Sequence, residues 1–214
     1  MKRNYLIAFA FVAAVGLASV VASIAVAQPS KDSKDAGQPQ LPPGWTAADV
    51  QAFAAAGTPG AMHAHLVKGI GEWHCKTTMW MGPGAEPIRG EGKTTVTSAM
   101  DGRYTRCEIT GDMPGMGPYH AEGFYGFDNV TQQFVSTFID NHSTGINTGT
   151  GQLSPDGKVL TWAFTHNCPI TKKPAVIREV ETITGADTKT LEMFGTDPKS
   201  GKEFKMMSIE LARK

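Results

Sequence analysis

Six histidines and three cysteines supply most of the reactive chemistry that this 214-residue chain can offer. His63, His65, His74, His120, His142 and His166, with Cys75 and Cys168, are imidazole and thiol groups of the kind that hold zinc or copper. Met113-Pro114-Gly115-Met116, followed by His120, adds thioether sulfur, which together with imidazole suits a copper ion. These residues are scattered over many segments with no tight ligand motif, so no metal site is assigned. Met113 and Met116 read as apolar filling of a proline-glycine loop, His63 as a residue packed beneath a short helix, and Cys75 as a small core residue.

A second set is charged. Arg106, Glu108, His120, Glu122, Asp140, His142 and Arg178 all fall in strand-like segments. There a charge either faces solvent, the ordinary case, or points inward and is paired. Pointing inward, such groups would orient a small molecule among apolar side chains. The expected ligand-binding set is then Trp73, Arg106, His120, Glu122, Phe124, Asp140, His142, Trp162, Arg178 and Met193. Glu122 beside His120 also has the makings of an acid–base pair.

Familiar enzyme motifs are absent. Gly92-Lys93-Thr94 resembles the tail of a phosphate loop, but Pro87 stands where its leading glycine is needed. There is no G-x-S-x-G, no H-E-x-x-H and no C-x-x-C. His120-Ala121-Glu122 matches half of a zinc deaminase motif whose P-C-x-x-C half is missing. No catalytic residue and no cofactor is assigned.

The elements that must position these residues begin after a leader. Lys2 and Arg3 precede an uncharged run from Tyr5 to Ala27 that ends in Ala25-Val26-Ala27, a small-x-small site that a signal peptidase accepts. Residues 1–27 are therefore expected to be a signal peptide, or an N-terminal membrane anchor if cleavage fails. The protein is expected in the periplasm or outside the cell, with no span left after cleavage. Lys2 and Arg3 are the only charged residues of 1–27, so 20 basic and 20 acidic residues become 18 and 20. That balance argues against a nucleic-acid partner. Three cysteines permit at most one internal disulfide, so the core must hold the fold together.

Residues 28–45 are rich in Pro, Gly, Ser and charge and read as a disordered linker. Residues 46–214 are expected to form a single domain with a helical cap. Thr46-Ala47-Ala48-Asp49 should cap a helix running to about Ala56, and Gly57-Thr58-Pro59-Gly60 should break it. Pro59 suits the first turn of a second helix carrying Met62, His63, Leu66 and Val67, with His65 pointing elsewhere.

From Glu72 the pattern becomes strands separated by turn residues. Ten are expected: 72–81, 88–98, 103–111, 119–127, 132–139, 144–153, 158–166, 174–184, 188–196 and 202–212. Turns such as Met100-Asp101-Gly102-Arg103 and Ser154-Pro155-Asp156-Gly157 imply antiparallel neighbours. The expected fold is an all-β, antiparallel, up-and-down ten-stranded barrel with one or two short N-terminal helices, wide enough for an internal cavity. Alternation places Trp73 and Cys75 on the inner face, against Lys76 outside, and groups Leu160, Trp162, Phe164 and His166. In the fourth strand both alternating sets are mixed, and periodicity does not choose between them.

Gly71-x-Trp73 after a short helix resembles the opening of lipocalin-like (calycin) barrels. A fuller pattern resembles the exported domain-of-unknown-function family numbered fifteen seventy-nine. It consists of His63-x-x-Leu66, Gly71-x-Trp73, Gly123-x-x-Gly126-Phe127-Asp128, a strand ending in Asp140, and a late Arg178-Glu179, over residues 59 to 213. Gly69 departs from it, standing where a large apolar residue is expected. The resemblance implies a fold and a compartment, not a reaction. A more distant likeness to nitrobindin-type and fatty-acid-binding barrels would imply haem held by a late histidine, but Lys205 to Leu211 contain none.

The expected function is therefore an exported barrel that binds a small, partly apolar molecule in its cavity. The alternatives are a barrel enzyme using His120 and Glu122, and a cell-envelope interaction module without a ligand.

Overall fold

The computed structural model describes residues 41–113, 115 and 117–214. The expected leader, most of the linker, Pro114 and Met116 lie outside the described residues. The chain divides into two units, Met1–Thr58 and Pro59–Lys214. That division falls inside the stretch expected to be one domain, and it separates the first helix from the barrel.

In the first unit, α1 (Ala47–Ala56) starts at the expected cap. Thr46 Oγ1 accepts the Asp49 N–H at 3.3 Å, and Asp49 Oδ2 accepts the Thr46 N–H at 2.7 Å. Two of the otherwise unpaired donors at a helix start are thereby satisfied. The Thr46 hydroxyl, which donates to Asp49 Oδ2 at 2.7 Å, and then the Thr46 N–H hold the Asp49 carboxyl below the usual carboxylate range. Trp45, at the end of the expected linker, stacks on Phe53 with ring centres 4.9 Å apart. No residue of α1 is buried.

The second unit opens with α2 (Ala61–Val67), whose N-cap is Gly60, so Pro59 precedes the helix instead of occupying its first turn. The Gly60 N–H donates to His63 Nδ1 at 3.0 Å. His63 is buried, edge-on to Phe127, and His65, expected to point away, also packs edge-on against Phe134. Both imidazoles are thus committed to the barrel end.

Ten strands follow: β1 (Gly71–Met79), β2 (Ile88–Ala99), β3 (Tyr104–Met113), β4 (Gly117–Asp128), β5 (Gln133–Asp140), β6 (Asn147–Leu153), β7 (Val159–Asn167), β8 (Pro174–Ile183), β9 (Thr188–Thr196) and β10 (Glu203–Arg213). Each pairs antiparallel with the next, and β1 pairs with β10 from Trp73↔Arg213 to Met79↔Met207, which closes the barrel. Closure leaves no unpaired strand edge within the sheet.

Two buried clusters fill the end beneath α2. Phe134, Leu160, Trp162 and Phe164 form one, with Met62 and Leu66 of α2 packed on them. Trp73, Cys75 and Leu211 form the other. Inner glycines opposite the large rings make this packing possible. A Cβ on Gly151 would stand 2.8 Å from the Trp162 ring, and one on Gly149 would stand 2.6 Å from Phe164. Gly71 has φ +137, a conformation that side chains disfavour, and a Cβ there would meet the Arg213 guanidinium at 2.7 Å. Cys75, Cys107 and Cys168 are all free thiols. No described helix is long and apolar enough to cross a membrane.

Candidate functional site

The alternation that begins at Trp73 carries one residue set around the inner wall. Register fixes it strand by strand: Trp73 faces Thr94, Val96 faces Cys107, Cys107 faces Gly123, Tyr125 faces Ser136, and Trp162 faces Glu179. At the α2 end this wall is sealed, with Trp73, Thr105, Phe134 and Trp162 buried. Elsewhere on the inner rows Met79, Ile109, Tyr119, Phe138, Ile177 and Met193 are half-buried, as are Val96, Phe127, Leu153 and Leu191 nearer α2. The end opposite α2 is bordered by the connections 80–87, 141–146, 168–173 and 197–202. α2 packs over the other end, where Met62 and Leu66 meet the buried Phe134, Leu160, Trp162 and Phe164. Tyr125 and Tyr119 keep accessible surface although burial pushes both phenols well above their usual range.

Within this apolar wall stand three ionisable groups, Glu179, Glu181 and Lys189. Glu179 of β8 is 4% exposed, and burial raises its carboxyl to about 8, with Glu181 adding to the rise and Lys189 opposing it. Glu181, two residues on and on the same face, pairs with Lys189 of β9 at 3.1 Å. The Lys189 ammonium also sits 5.0 Å from the centre of the Trp73 ring. Cys75 Sγ lies 3.2 Å from Thr94 Oγ1, and burial pushes the Cys75 thiol up and that of Cys107 to about 12. Both thiols are thus neutral and poor nucleophiles in the closed barrel.

Of the residues named from sequence, Trp73, Trp162, Met193 and Asp140 lie on the inner face. Trp162, Glu179 and Met193 share one cross-strand row, which Met207 and Met79 continue. Trp73 belongs to the neighbouring cluster. Asp140 sits at the open rim, where its carboxylate accepts the His142 N–H at 2.8 Å and the Ser143 hydroxyl at 3.3 Å.

Arg106, His120, Glu122, Phe124 and Arg178 occupy the outer face and do not line the interior. Arg106 bridges Glu108 at 2.7 Å and Glu122 at 2.9 Å, an arrangement that is inexpensive where water can reach it. Arg178 pairs with Glu203 at 3.1 Å and lies over the Phe194 ring. Phe124 is 43% exposed. The His120 N–H donates to Asn141 Oδ1, and His142 lies in the 141–146 connection with its ring 5.7 Å from Tyr119. His120 and Glu122 therefore form no acid–base pair inside the barrel, because their strand parity turns both outward. The same parity separates Met113 from His120, which fall on opposite faces of the sheet. Among the described residues no three His, Cys, Asp or Glu side chains converge as a metal site.

Sequence reasoning missed Glu179, Glu181 and Lys189 as interior groups. The run Ile177-Arg178-Glu179-Val180-Glu181 places charge on both faces, so hydrophobic alternation is uninformative there. The only signal was positional, since Glu179 stands on the same face of β8 as Ile177.

Comparison with known proteins follows from this geometry. A family profile described as protein of unknown function (DUF1579) matches residues 58–213. No curated protein matches the sequence. Among solved structures, Rv2717c from M. tuberculosis aligns with a TM-score of 0.53 at 14% identity, covering 73% of this chain and 99% of that one. The S-type phycobiliprotein lyase CPES from Guillardia theta aligns with a TM-score of 0.50 at 8% identity, covering 72% and 93%. At such identities the likeness is one of fold.

Proposed function

The chain belongs to the DUF1579 family of proteins of unknown function, and on that premise we propose that its barrel binds a small, partly apolar molecule in the interior, admitted at the end opposite α2. The observation that carries this reading is that inner-wall apolar residues such as Ile177 and Met193 keep part of their surface uncovered beside the buried Trp162. Apolar surface left uncovered inside a closed sheet gains free energy when a ligand covers it, about 25 cal/mol per Å². A few polar groups on such a wall fix orientation.

Titration with the neutral dye N-phenyl-1-naphthylamine tests the reading, using dye emission and quenching of the interior tryptophans. Binding is expected to weaken at least about tenfold when Ile177 or Met193 is replaced by Trp, since the added ring fills the space. Unchanged affinity in both variants, or no binding to the wild-type protein, would remove the proposal. Native mass spectrometry of protein from its own source should show an organic molecule bound to the intact barrel.

The leader is read in the same way, as a signal removed on export. N-terminal sequencing of protein from its source is expected to start at Gln28, and a chain that keeps Met1 would overturn that reading.

A further inference from the structure

Glu179 is an acid without a partner. It is 4% exposed, and among the described residues it takes no hydrogen bond and no ion pair. Buried carboxyl groups ordinarily have such partners, because an unpaired polar group in an apolar setting is destabilising. Its oxygens are not sealed. Among the described residues only His166 Nδ1 is both shut away from accessible space and unpartnered. The Glu179 carboxyl therefore opens on the interior.

The nearest cation is already committed. Lys189 pairs with Glu181, so the interior holds two acids and one base. The remaining groups that face Glu179 add no positive charge, since the Cys107 thiol of β3 and the Tyr125 phenol of β4 are held neutral by burial. Around it the wall is aromatic: Trp162 stacks on Phe164 at 5.6 Å and meets Tyr125 edge-on at 5.5 Å. Ring faces attract cations, and so does a desolvated carboxylate.

We infer that the interior selects a ligand with a basic nitrogen, an amine or basic heterocycle, whose protonated form pairs with the Glu179 carboxylate while its apolar body lies along the Ile177–Met193 wall. This rests on the interior-binding reading and narrows it to one ligand class. On binding, the ligand's N–H donates to the carboxylate, and Glu179, protonated in the empty barrel below about pH 8, releases its proton to solvent. Affinity for the cation accordingly rises with pH up to that value.

Three probes of one shape decide it: 1-naphthylmethylamine, 1-naphthalenemethanol and 1-naphthaleneacetic acid, titrated calorimetrically into the wild-type protein, Glu179→Gln and Glu181→Gln. The amine is expected to bind the wild-type protein about tenfold tighter than the alcohol, with the acid weakest. Glu179→Gln should abolish the amine's advantage over the alcohol, and Glu181→Gln, which frees the Lys189 ammonium to face Glu179, should reduce that advantage without abolishing it. Binding without preference for the amine, or a preference that survives Glu179→Gln, overturns the inference and leaves the cavity reading standing. Failure of all three probes to bind the wild-type protein overturns the cavity reading itself.

Discussion

The Arg213 guanidinium lies 4.2 Å from the centre of the Trp73 ring, its register partner across the β1–β10 pair. The same group donates to the carbonyls of Ile70 and Lys68, just past α2, and to Asp187 Oδ1 at 3.0 Å in the β8–β9 turn. Trp73 Nε1 in turn donates to the Gly69 carbonyl at 2.9 Å. A cation at a helix C-terminus, satisfying carbonyls and covering an aromatic face, is favourable on each count.

Arg213→Ala is therefore expected to lower stability by about 2–3 kcal/mol, measured by urea unfolding. Arg213→Lys should recover only part of this, because an ammonium does not reproduce the planar fork. A loss under about 0.5 kcal/mol for Arg213→Ala would show that the clasp carries no weight.

Gly151→Ala places a methyl carbon against the buried Trp162 ring, 2.8 Å away. The expected cost is about 1–3 kcal/mol, seen as a lower thermal midpoint. Trp162→Ala should cost more, about 3–5 kcal/mol, through the cavity it leaves.

Glu179 makes stability depend on pH with a definite sign. Its folded carboxyl, raised from 4.5 to about 8, holds a proton that the unfolded chain has already released between those values. Stability is thus fully retained below about pH 4.5 and falls as pH rises toward 8, by on the order of 4 kcal/mol in all. Unfolding curves of Glu179→Gln should lose this slope, and the variant should be more stable than the wild-type protein at pH 8. Parallel pH profiles for the two proteins would contradict this account.

Thiol labelling should separate the three cysteines. Hydrogen bonds around Thr171 and the 168–173 connection hold the Cys168 thiol below its usual range, whereas Cys75 and Cys107 are buried with raised thiols. Ellman's reagent at pH 8 is expected to modify Cys168 rapidly and the other two only on unfolding. Rapid modification in Cys168→Ser would contradict this.

Turn chemistry made the ten strands legible in the sequence, since each reversal carries the Asp, Asn, Gly or Pro that its backbone requires. Two strands hid their faces for a physical reason. In β4 the inner wall is Ala121, Gly123 and two tyrosines while Phe124 lies outside, so hydrophobicity alone does not mark the interior. Part of the space above Gly123 is taken by Phe138 of the next strand, a contact that no window on β4 contains. In β8, Arg178 and Glu179 look alike as charges, and only the paired strands reveal that one reaches solvent and the other is enclosed. Trp73 was legible because Lys76 marks the opposite face of its strand, and Trp162 because Leu160 and Phe164 share its side of an uncharged, alternating β7.

The bond from Arg213 to Ile70 joins residues 143 positions apart, along the same seam that brings β1 against β10. The first strand therefore has no permanent neighbour on that side until the tenth has been made. While the chain emerges, β1 exposes a ladder of amide groups that any sticky segment can occupy. Formation of the cylinder is consequently a late event, slow in the manner of folds built on distant pairings.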